Sequence, residues 1–186
     1  MMNKKVIVIT GASGTGKTTI SRYLKEKYNI PQVLTHTTRL PRDGEANGVD
    51  YYFETDETFE HNHYLERVEY SGHKYGSSEE GLQKSWDVAD IVSIVVDTKG
   101  AIAYQEKYGD SAIIIFMKAD LDAVAERLKL RGDEKARLEQ RIKSQENQRD
   151  REVPKEFQRN YYEIVNKDIK NTKECVDRVI EEIKVK

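Results

Sequence analysis

Residues 11–18 read Gly11-Ala12-Ser13-Gly14-Thr15-Gly16-Lys17-Thr18, which satisfies the pattern G-x-x-x-x-G-K-[ST]. The apolar run Val6–Ile9 comes just before it and a helical pattern starts at Lys17, as a phosphate loop between a strand and a helix requires. Glycines let successive backbone N–H groups point into one cavity, and the helix N-terminus adds partial positive charge there. Lys17 can then reach the β- and γ-phosphates of a nucleoside triphosphate, and the Thr18 hydroxyl can bind Mg²⁺.

Further β-branched runs and helical patterns follow along the chain. Ile91–Val96 and Ile113–Phe116 are also short and nearly all apolar, which is typical of strands buried on both faces of a parallel sheet. Apolar residues at helical spacing form three groups: Ile20, Tyr23 and Leu24; Leu121, Val124, Ala125 and Leu128; Val176, Val179, Ile180 and Ile183. We therefore predict an α/β fold with a P-loop NTPase-type core, in which helices flank a parallel sheet.

The composition argues against several classes of protein. The 186 residues are the length of a single domain, and the net charge of −2 disfavours a general binder of nucleic acids or other polyanions. A single cysteine, Cys175, cannot form a disulfide within the chain, and no apolar stretch approaches the roughly 20 residues of a membrane span. We expect a cytoplasmic protein with neither a membrane nor a nucleic-acid partner.

Residues 33–78 differ from the rest of the chain, since two turn dipeptides and seven of the 16 Phe, Trp and Tyr side chains predict a small β-rich insertion there. Within it, Arg39 and Arg42 stand three residues apart around Pro41. Arginine offers a planar fork that donates two hydrogen bonds to phosphate oxygens, so this pair suits a second phosphate, outside the phosphate loop. Tyr51 can add a hydroxyl group to the same phosphate. The alternative is a solvated basic loop.

A phosphate loop alone indicates only that a nucleoside triphosphate binds, and GTPases share it. Asp97-Thr98-Lys99-Gly100 matches the D-x-x-G pattern of GTPase switch regions, but about one such match is expected by chance in a chain of this composition. Asn166-Lys167-Asp168 resembles the guanine-binding N-K-x-D pattern with its Asp one position early. Both observations disfavour a GTPase.

Several blocks of the sequence resemble the guanylate kinase family. Residues 37–53 match its hallmark T-T-R-x-P-R-x-G-E-x-x-G-x-D-Y-x-F, and Glu66 with residues 72–77 is similar to its E-…-G-x-x-Y-G-[ST] segment. Asp97 stands where the family has an acidic residue at the end of a strand. Arg131-Gly132 with Arg141 resembles the family's lid, and Ile164-Val165-Asn166 its C-terminal V-N. These blocks follow the order of the family and span nearly the whole chain.

The resemblance implies an enzyme that transfers the γ-phosphoryl group of ATP to GMP, with Mg²⁺ bound together with the ATP. The residues that it assigns to ATP are Gly11, Ala12, Ser13, Gly14, Thr15, Gly16, Lys17, Thr18 and Asn166, with Thr18 binding the metal. The residues that it assigns to GMP are Thr35, Arg39, Arg42, Tyr51, Glu66, Tyr75, Ser77 and Asp97. Of these, Arg39, Arg42, Tyr51 and Tyr75 would hold the phosphate, and the others would bind guanine. The catalytic residues would be Lys17, Arg39, Arg131 and Arg141.

The resemblance also implies a division of the chain and leaves some choices open. The core would comprise residues of about 1–32, 79–124 and 151–186, the GMP-binding insertion about 33–78, and the lid about 125–150. Arg137 is an alternative to Arg141 in the lid, and Val95 stands where the family often has a second acid. Another phosphotransferase of this fold, such as a ribose bisphosphate kinase, and a non-catalytic phosphopeptide-binding module remain alternatives.

Overall fold

The computed structural model describes residues 4–70, 72–120, 144–157 and 160–185. In chain order their elements are β1 (Lys5–Thr10), α1 (Lys17–Tyr28), β2 (His36–Thr37), β3 (Tyr52–Phe53), α2 (Asp56–Phe59), β4 (Tyr64–Tyr70), β5 (His73–Ser78), α3 (Glu79–Val88), β6 (Ile91–Val95), α4 (Thr98–Tyr108), a 3₁₀ turn (Gly109–Ser111), β7 (Ala112–Lys118), α5 (Gln145–Arg149), β8 (Tyr161–Val165) and α6 (Ile169–Val185). The chain thus alternates strands and helices, as the sequence predicts.

The main sheet is parallel and has the strand order β6-β1-β7-β8. Three of its strands coincide with the three apolar runs of the sequence, and the predicted α/β fold class is confirmed. The fourth strand, β8, lacks an apolar run because it lies at the edge of the sheet, where Ile164 is its one fully buried side chain. The predicted helical pattern that starts at Leu121 lies outside the described residues.

Alternate residues of the central strand β1 pack on opposite faces of the sheet. Val6 and Val8 join one buried cluster with the helices α3 and α4, whereas Ile7 and Ile9 join another with α1 and α6. All four side chains are fully buried, and each such burial contributes about 1.5–3 kcal/mol to folding. Burial on both faces explains why the strand reads as an unbroken apolar run.

A second sheet lies within residues 36–78 and has the order β3-β2-β5-β4. The strands β2 and β3 pair in parallel and have two residues each, while β4 and β5 form an antiparallel hairpin. The segment that carries the predicted arginine pair connects β2 to β3. It therefore leaves from and returns to the same sheet.

In the part of the chain that the structure describes, no helix is both long and apolar enough to cross a membrane.

Candidate active site

The phosphate loop connects the end of β1 to the start of α1, and its backbone requires glycine. Gly11, Gly14 and Gly16 have φ angles of 128°, 83° and 102°, which side chains disfavour. A Cβ atom on Gly11 would also clash with the backbone oxygen of Met117 in β7. Lys17 Nζ donates hydrogen bonds to the carbonyl oxygens of Gly11 (2.6 Å) and Ala12 (2.8 Å), so the ammonium group lies over the loop.

Two asparagines far along the chain contact the backbone of this loop. The buried Asn166 donates from Nδ2 to the Thr15 carbonyl (2.8 Å) and accepts from the Thr172 hydroxyl (3.0 Å). Asn147, in α5, accepts a hydrogen bond from the Ser13 backbone N–H through Oδ1 (2.8 Å). The family resemblance assigns Asn166 to ATP. In the structure this side chain contacts the backbone of the phosphate loop directly. The contact of Asn147 has no signal in the sequence.

The two arginines and two tyrosines that the sequence assigns to a second phosphate share one end of a cleft. The Arg39 guanidinium lies 5.5 Å from the ring centroid of Tyr51, and the rings of Tyr51 and Tyr75 are 6.4 Å apart. Burial raises the pKa of Tyr51, which keeps its hydroxyl group neutral and able to donate. The exposed Arg42 extends from the same loop.

Glu45 holds the loop that carries these arginines, a role that the sequence analysis missed. Its carboxylate lies 2.9 Å from Arg39 Nη2 and accepts from the Arg42 backbone N–H (2.8 Å). The sequence feature that could have indicated this role is the glutamate of Gly44-Glu45 in the hallmark. Its contacts hold the planar guanidinium of Arg39 in place.

The carboxyl groups assigned to guanine line the same cleft as the arginine pair. Glu66 in β4 pairs in register with Ser77 in β5, whose hydroxyl donates to Glu66 Oε1 (3.1 Å). Burial, together with the nearby charge of Asp97, raises the pKa of Glu66 to about 7. Asp97 caps α4 by accepting from the Gly100 backbone N–H (2.8 Å), so the D-x-x-G match of the sequence is a helix cap.

Helix α5 brings a further cation to this end of the cleft. Arg149 Nη2 lies 2.6 Å from Asp97 Oδ2 and 2.8 Å from Asp150 Oδ1, and Arg149 Nε donates to the Thr98 hydroxyl (3.0 Å). The Thr98 hydroxyl also donates to Asp150. The sequence analysis placed this segment in the lid and assigned no role to Arg149, because nothing local predicts which strand end it reaches.

One cavity of about 240 Å³ joins both halves of the cleft. Ten of the predicted residues line it: Gly11, Ser13, Lys17, Thr35, Arg39, Arg42, Tyr51, Glu66, Tyr75 and Asp97. Val95, Asn147 and Asp150 line it as well, while Ala12 and Thr15 line a second cavity beside the loop with Lys118 and Arg151. Thr18 is exposed at the start of α1, and Ser77 is buried behind Glu66. Arg131, Arg137 and Arg141 lie outside the described residues.

No group of three or more potential metal ligands among His, Cys, Asp and Glu occurs in the described ranges.

Comparisons with known proteins show what this chain is similar to. The family model described as guanylate kinase matches residues 3–183. The chain is 30% identical over 187 residues to a guanylate kinase of Neisseria meningitidis, covering 97% of this chain and 89% of that protein. It is 36% identical over 146 residues to a guanylate kinase of Clostridium perfringens, covering 72% and 68%.

Solved structures give the same result for the fold. The crystal structure of guanylate kinase from Anaplasma phagocytophilum superposes with a TM-score of 0.69 at 25% identity, covering 98% of this chain and 87% of that one. A putative kinase from Chloroflexus aurantiacus superposes with a TM-score of 0.55 at 15% identity, which supports the fold alone.

Proposed function

This chain belongs to the guanylate kinase family, and we propose that the cleft described above is where it transfers the γ-phosphoryl group of ATP to GMP. The relatives from Neisseria meningitidis, Clostridium perfringens and Anaplasma phagocytophilum are guanylate kinases. They confirm the family and the phosphotransferase activity that the sequence predicts. One observation carries the assignment of the cleft. A single cavity is lined by the phosphate loop and also by an arginine pair and the half-buried carboxyl group of Glu66.

On the donor side, the loop of residues 11–18 would hold the phosphates of ATP. Its N–H groups and the N-terminus of α1 favour negative charge, and Lys17 would exchange its carbonyl partners for phosphate oxygens. Mg²⁺ bound with ATP would neutralise charge on the β- and γ-phosphates. The exposed Thr18 hydroxyl would be its protein ligand, and Asn166 would act by bracing the loop.

On the acceptor side, Arg39, Arg42, Tyr51 and Tyr75 would bind the phosphate of GMP. A phosphate oxygen is already anionic near neutral pH, so the reaction needs no general base. Catalysis then consists of bringing two anions into line and offsetting their repulsion. This charge compensation requires cations near both substrates. Lys17, on the ATP side, and Arg39, on the GMP side, line the same cavity.

At the base end, Glu66 would accept hydrogen bonds from N1–H and N2–H₂ of guanine. Ser77 orients the carboxyl group, and Thr35 and Asp97 would complete the pocket. Adenine presents an acceptor at N1, which would face the lone pairs of the carboxylate. An unsatisfied buried charged group costs more than about 1–3 kcal/mol, so this contact can discriminate strongly between the two bases.

The remaining assignments rest on the family resemblance. We propose a core of about residues 1–32, 79–124 and 151–186, a GMP-binding unit of about 33–78, and a lid of about 125–150. Arg131 and Arg141 would close over the transferred group, with Arg137 as the alternative to Arg141. A single cysteine and the use of ATP both suit a cytoplasmic location.

The test of the site is base choice in Glu66→Gln. We expect kcat/KM for GMP to fall by about 100-fold or more and the ratio of GMP to AMP activity to narrow, because the amide presents a donor to guanine. The matched control is Glu69→Gln, an exposed glutamate of the same strand, which should behave as the parent. A Glu66→Gln enzyme with the parental ratio would place guanine recognition elsewhere.

A further inference from the structure

Three carboxyl groups from separate parts of the chain converge at the base end of the cleft. Glu66 extends from β4, Asp97 precedes α4, and Asp150 follows α5. They influence one another, since the charge of Asp97 contributes to raising the pKa of Glu66 and, after burial, that of Asp150. Unless a cation offsets it, the negative charge of Asp97 opposes ionisation of Glu66 and Asp150.

Arg149 lies among these groups and contacts two of them. Its Nη2 atom forms ion pairs with Asp97 and Asp150, and its Nε donates to Thr98. The carboxyl side chains of Asp97 and Asp150 are 12% and 8% exposed, so the pairs are largely screened from water and retain much of their strength. The guanidinium stays charged at any pH at which the protein is folded.

The ionisation state of Glu66 decides what it can bind. A carboxylate accepts from both guanine donors, whereas a protonated carboxyl group turns one oxygen into a donor that opposes them. Because its pKa is raised to about 7, Glu66 is incompletely ionised at neutral pH in the ligand-free protein. Any further rise in that pKa would reduce the fraction of protein that is ready to bind GMP.

We infer that Arg149 is a positioning residue for guanine recognition, which fixes Asp97 and offsets its charge so that Glu66 can meet the base as a carboxylate. This rests on the proposed assignment of Glu66 to guanine. The Arg149 side chain acts through Asp97, because Asp97 accepts from α4 with one oxygen and from α5 with the other. Arg149 thereby contributes to the acceptor site through Asp97 and is not itself among the residues that line the cavity.

Other groups that face Glu66 do not replace Arg149. Ser77 donates to it from β5 and is uncharged. Tyr104 of α4 is buried nearby, and burial raises its pKa, so its hydroxyl remains neutral. Lys17, Arg39 and Arg42 line the same cavity, but Lys17 donates to carbonyl groups of the phosphate loop, Arg39 pairs with Glu45, and Arg42 is exposed to solvent.

The experiment compares Arg149→Gln, which removes the positive charge, with Arg149→Lys, which keeps the charge but lacks the planar set of guanidinium donors. Arg67→Gln is the control, because this exposed arginine follows Glu66 on β4 and pairs with Glu60 at the surface. The first readout is the titration of the Glu66 carboxyl carbon by NMR in the ligand-free protein. The second is the pH dependence of kcat/KM for GMP, with KM for ATP measured alongside.

In Arg149→Gln we expect the Glu66 titration and the acidic limb of kcat/KM for GMP to move upward together, by about half to one pH unit. Arg149→Lys should restore most of the shift, and Arg67→Gln should show none. If Glu66 titrates as in the parent, Arg149 does not act on it and the inference is wrong. It is equally wrong if Arg149→Lys fails to restore the shift, or if Arg149→Gln changes only KM for ATP through displacement of Asn147 from the phosphate loop.

Failure here can be told apart from failure of the proposed site. The NMR titration reports on Glu66 without any substrate, whereas base choice in Glu66→Gln reports on guanine recognition without Arg149 being changed. A shifted titration together with parental base choice in Glu66→Gln would retain the electrostatic coupling and reject the role in guanine binding.

Discussion

At the scale of single residues, Glu66 is stabilised in its protonated form by the folded protein. Its folded pKa is about 7 against 4.5 for an unperturbed glutamate, first because of burial and then because of Asp97. Between these values the folded protein holds a proton that the unfolded chain releases. The free energy of unfolding therefore falls as the pH rises through this window, by an amount on the order of 1–3 kcal/mol.

Glu66→Gln should therefore stabilise the protein under alkaline conditions while it impairs GMP use. We expect its gain in free energy of unfolding over the parent to grow from pH 5 to pH 8, since the amide never ionises. Urea unfolding at both pH values measures this, and Glu69→Gln provides the baseline for loss of an exposed charge. A gain that is the same at both pH values would contradict the raised pKa.

At the scale of elements, the first turn of α4 packs against β4 through a glycine. A Cβ atom on Gly100 would lie 2.9 Å from Val96 Cβ and 3.1 Å from both Cγ and Cδ of Glu66. The absence of a side chain therefore allows the helix to approach the carboxyl group that we assign to guanine. The same turn is capped by Asp97, so the spacing of helix and strand also sets the distance between the two acids.

Gly100→Ala should impair GMP binding more than it destabilises the fold. The new methyl group presses on Glu66, and strain of about 1–3 kcal/mol corresponds to a rise in KM for GMP of roughly 10- to 100-fold. Alanine regains about 1 kcal/mol of helix propensity, which offsets part of the strain in unfolding measurements. Steady-state kinetics with both substrates should show KM for ATP unchanged. Lys99→Ala, in the same turn but exposed, should leave both constants at parental values, and a similar loss there would refute steric pressure on Glu66.

The elements also show which parts of the site a sequence can predict. The phosphate loop, with the strand before it and the helix after it, was predictable because all its requirements are local. Strand β8 was not, since an edge strand needs few apolar residues, and β2 and β3 have only two residues each. The contacts of Arg149 and Asn147 depend on where α5 docks, and no spacing along the chain encodes that position. The family resemblance supplied Glu66 and Asp97, which composition alone would assign to the surface.

At the scale of the whole molecule, α1 is fastened to α6 on the side of the sheet away from α3 and α4. Asp177 of α6 accepts hydrogen bonds from the hydroxyl groups of Tyr23 and Tyr28, both at 2.6 Å, and from Lys27 Nζ at 2.7 Å. Burial alone would raise the pKa of Asp177, but the hydrogen bond from Lys27 and those from the tyrosines outweigh it and lower the pKa. Helix α1, which begins with Lys17 of the phosphate loop, is thus held in place by α6.

Asp177→Asn should lower the free energy of unfolding at pH 7 by about 1–2 kcal/mol, because a charged acceptor of three hydrogen bonds becomes neutral. The ionised Asp177 stabilises the fold fully above its unfolded pKa of about 3.8. This stabilisation is lost as the pH falls through the lower pKa of Asp177 in the folded protein. The difference from the parent should therefore shrink at pH 3, as urea unfolding can measure. Glu174→Gln, exposed on the same helix, should show little effect. Equal destabilisation at both pH values would mean that the charge of Asp177 does not matter.

The central position of β1 has a consequence for how the protein is made. Val6 pairs with Val92 on one side and Ala112 on the other, and Gly11 fits against the backbone of Met117. In a growing polypeptide β1 must therefore keep one edge unpaired until β7 leaves the ribosome, and an unpaired strand edge invites aggregation. Ribosome-bound chains stalled before that point should be digested readily by protease and should not retain ATP. The nucleotide site, although its loop precedes β6 and β7 in the sequence, should therefore become functional only after β7 has been synthesised.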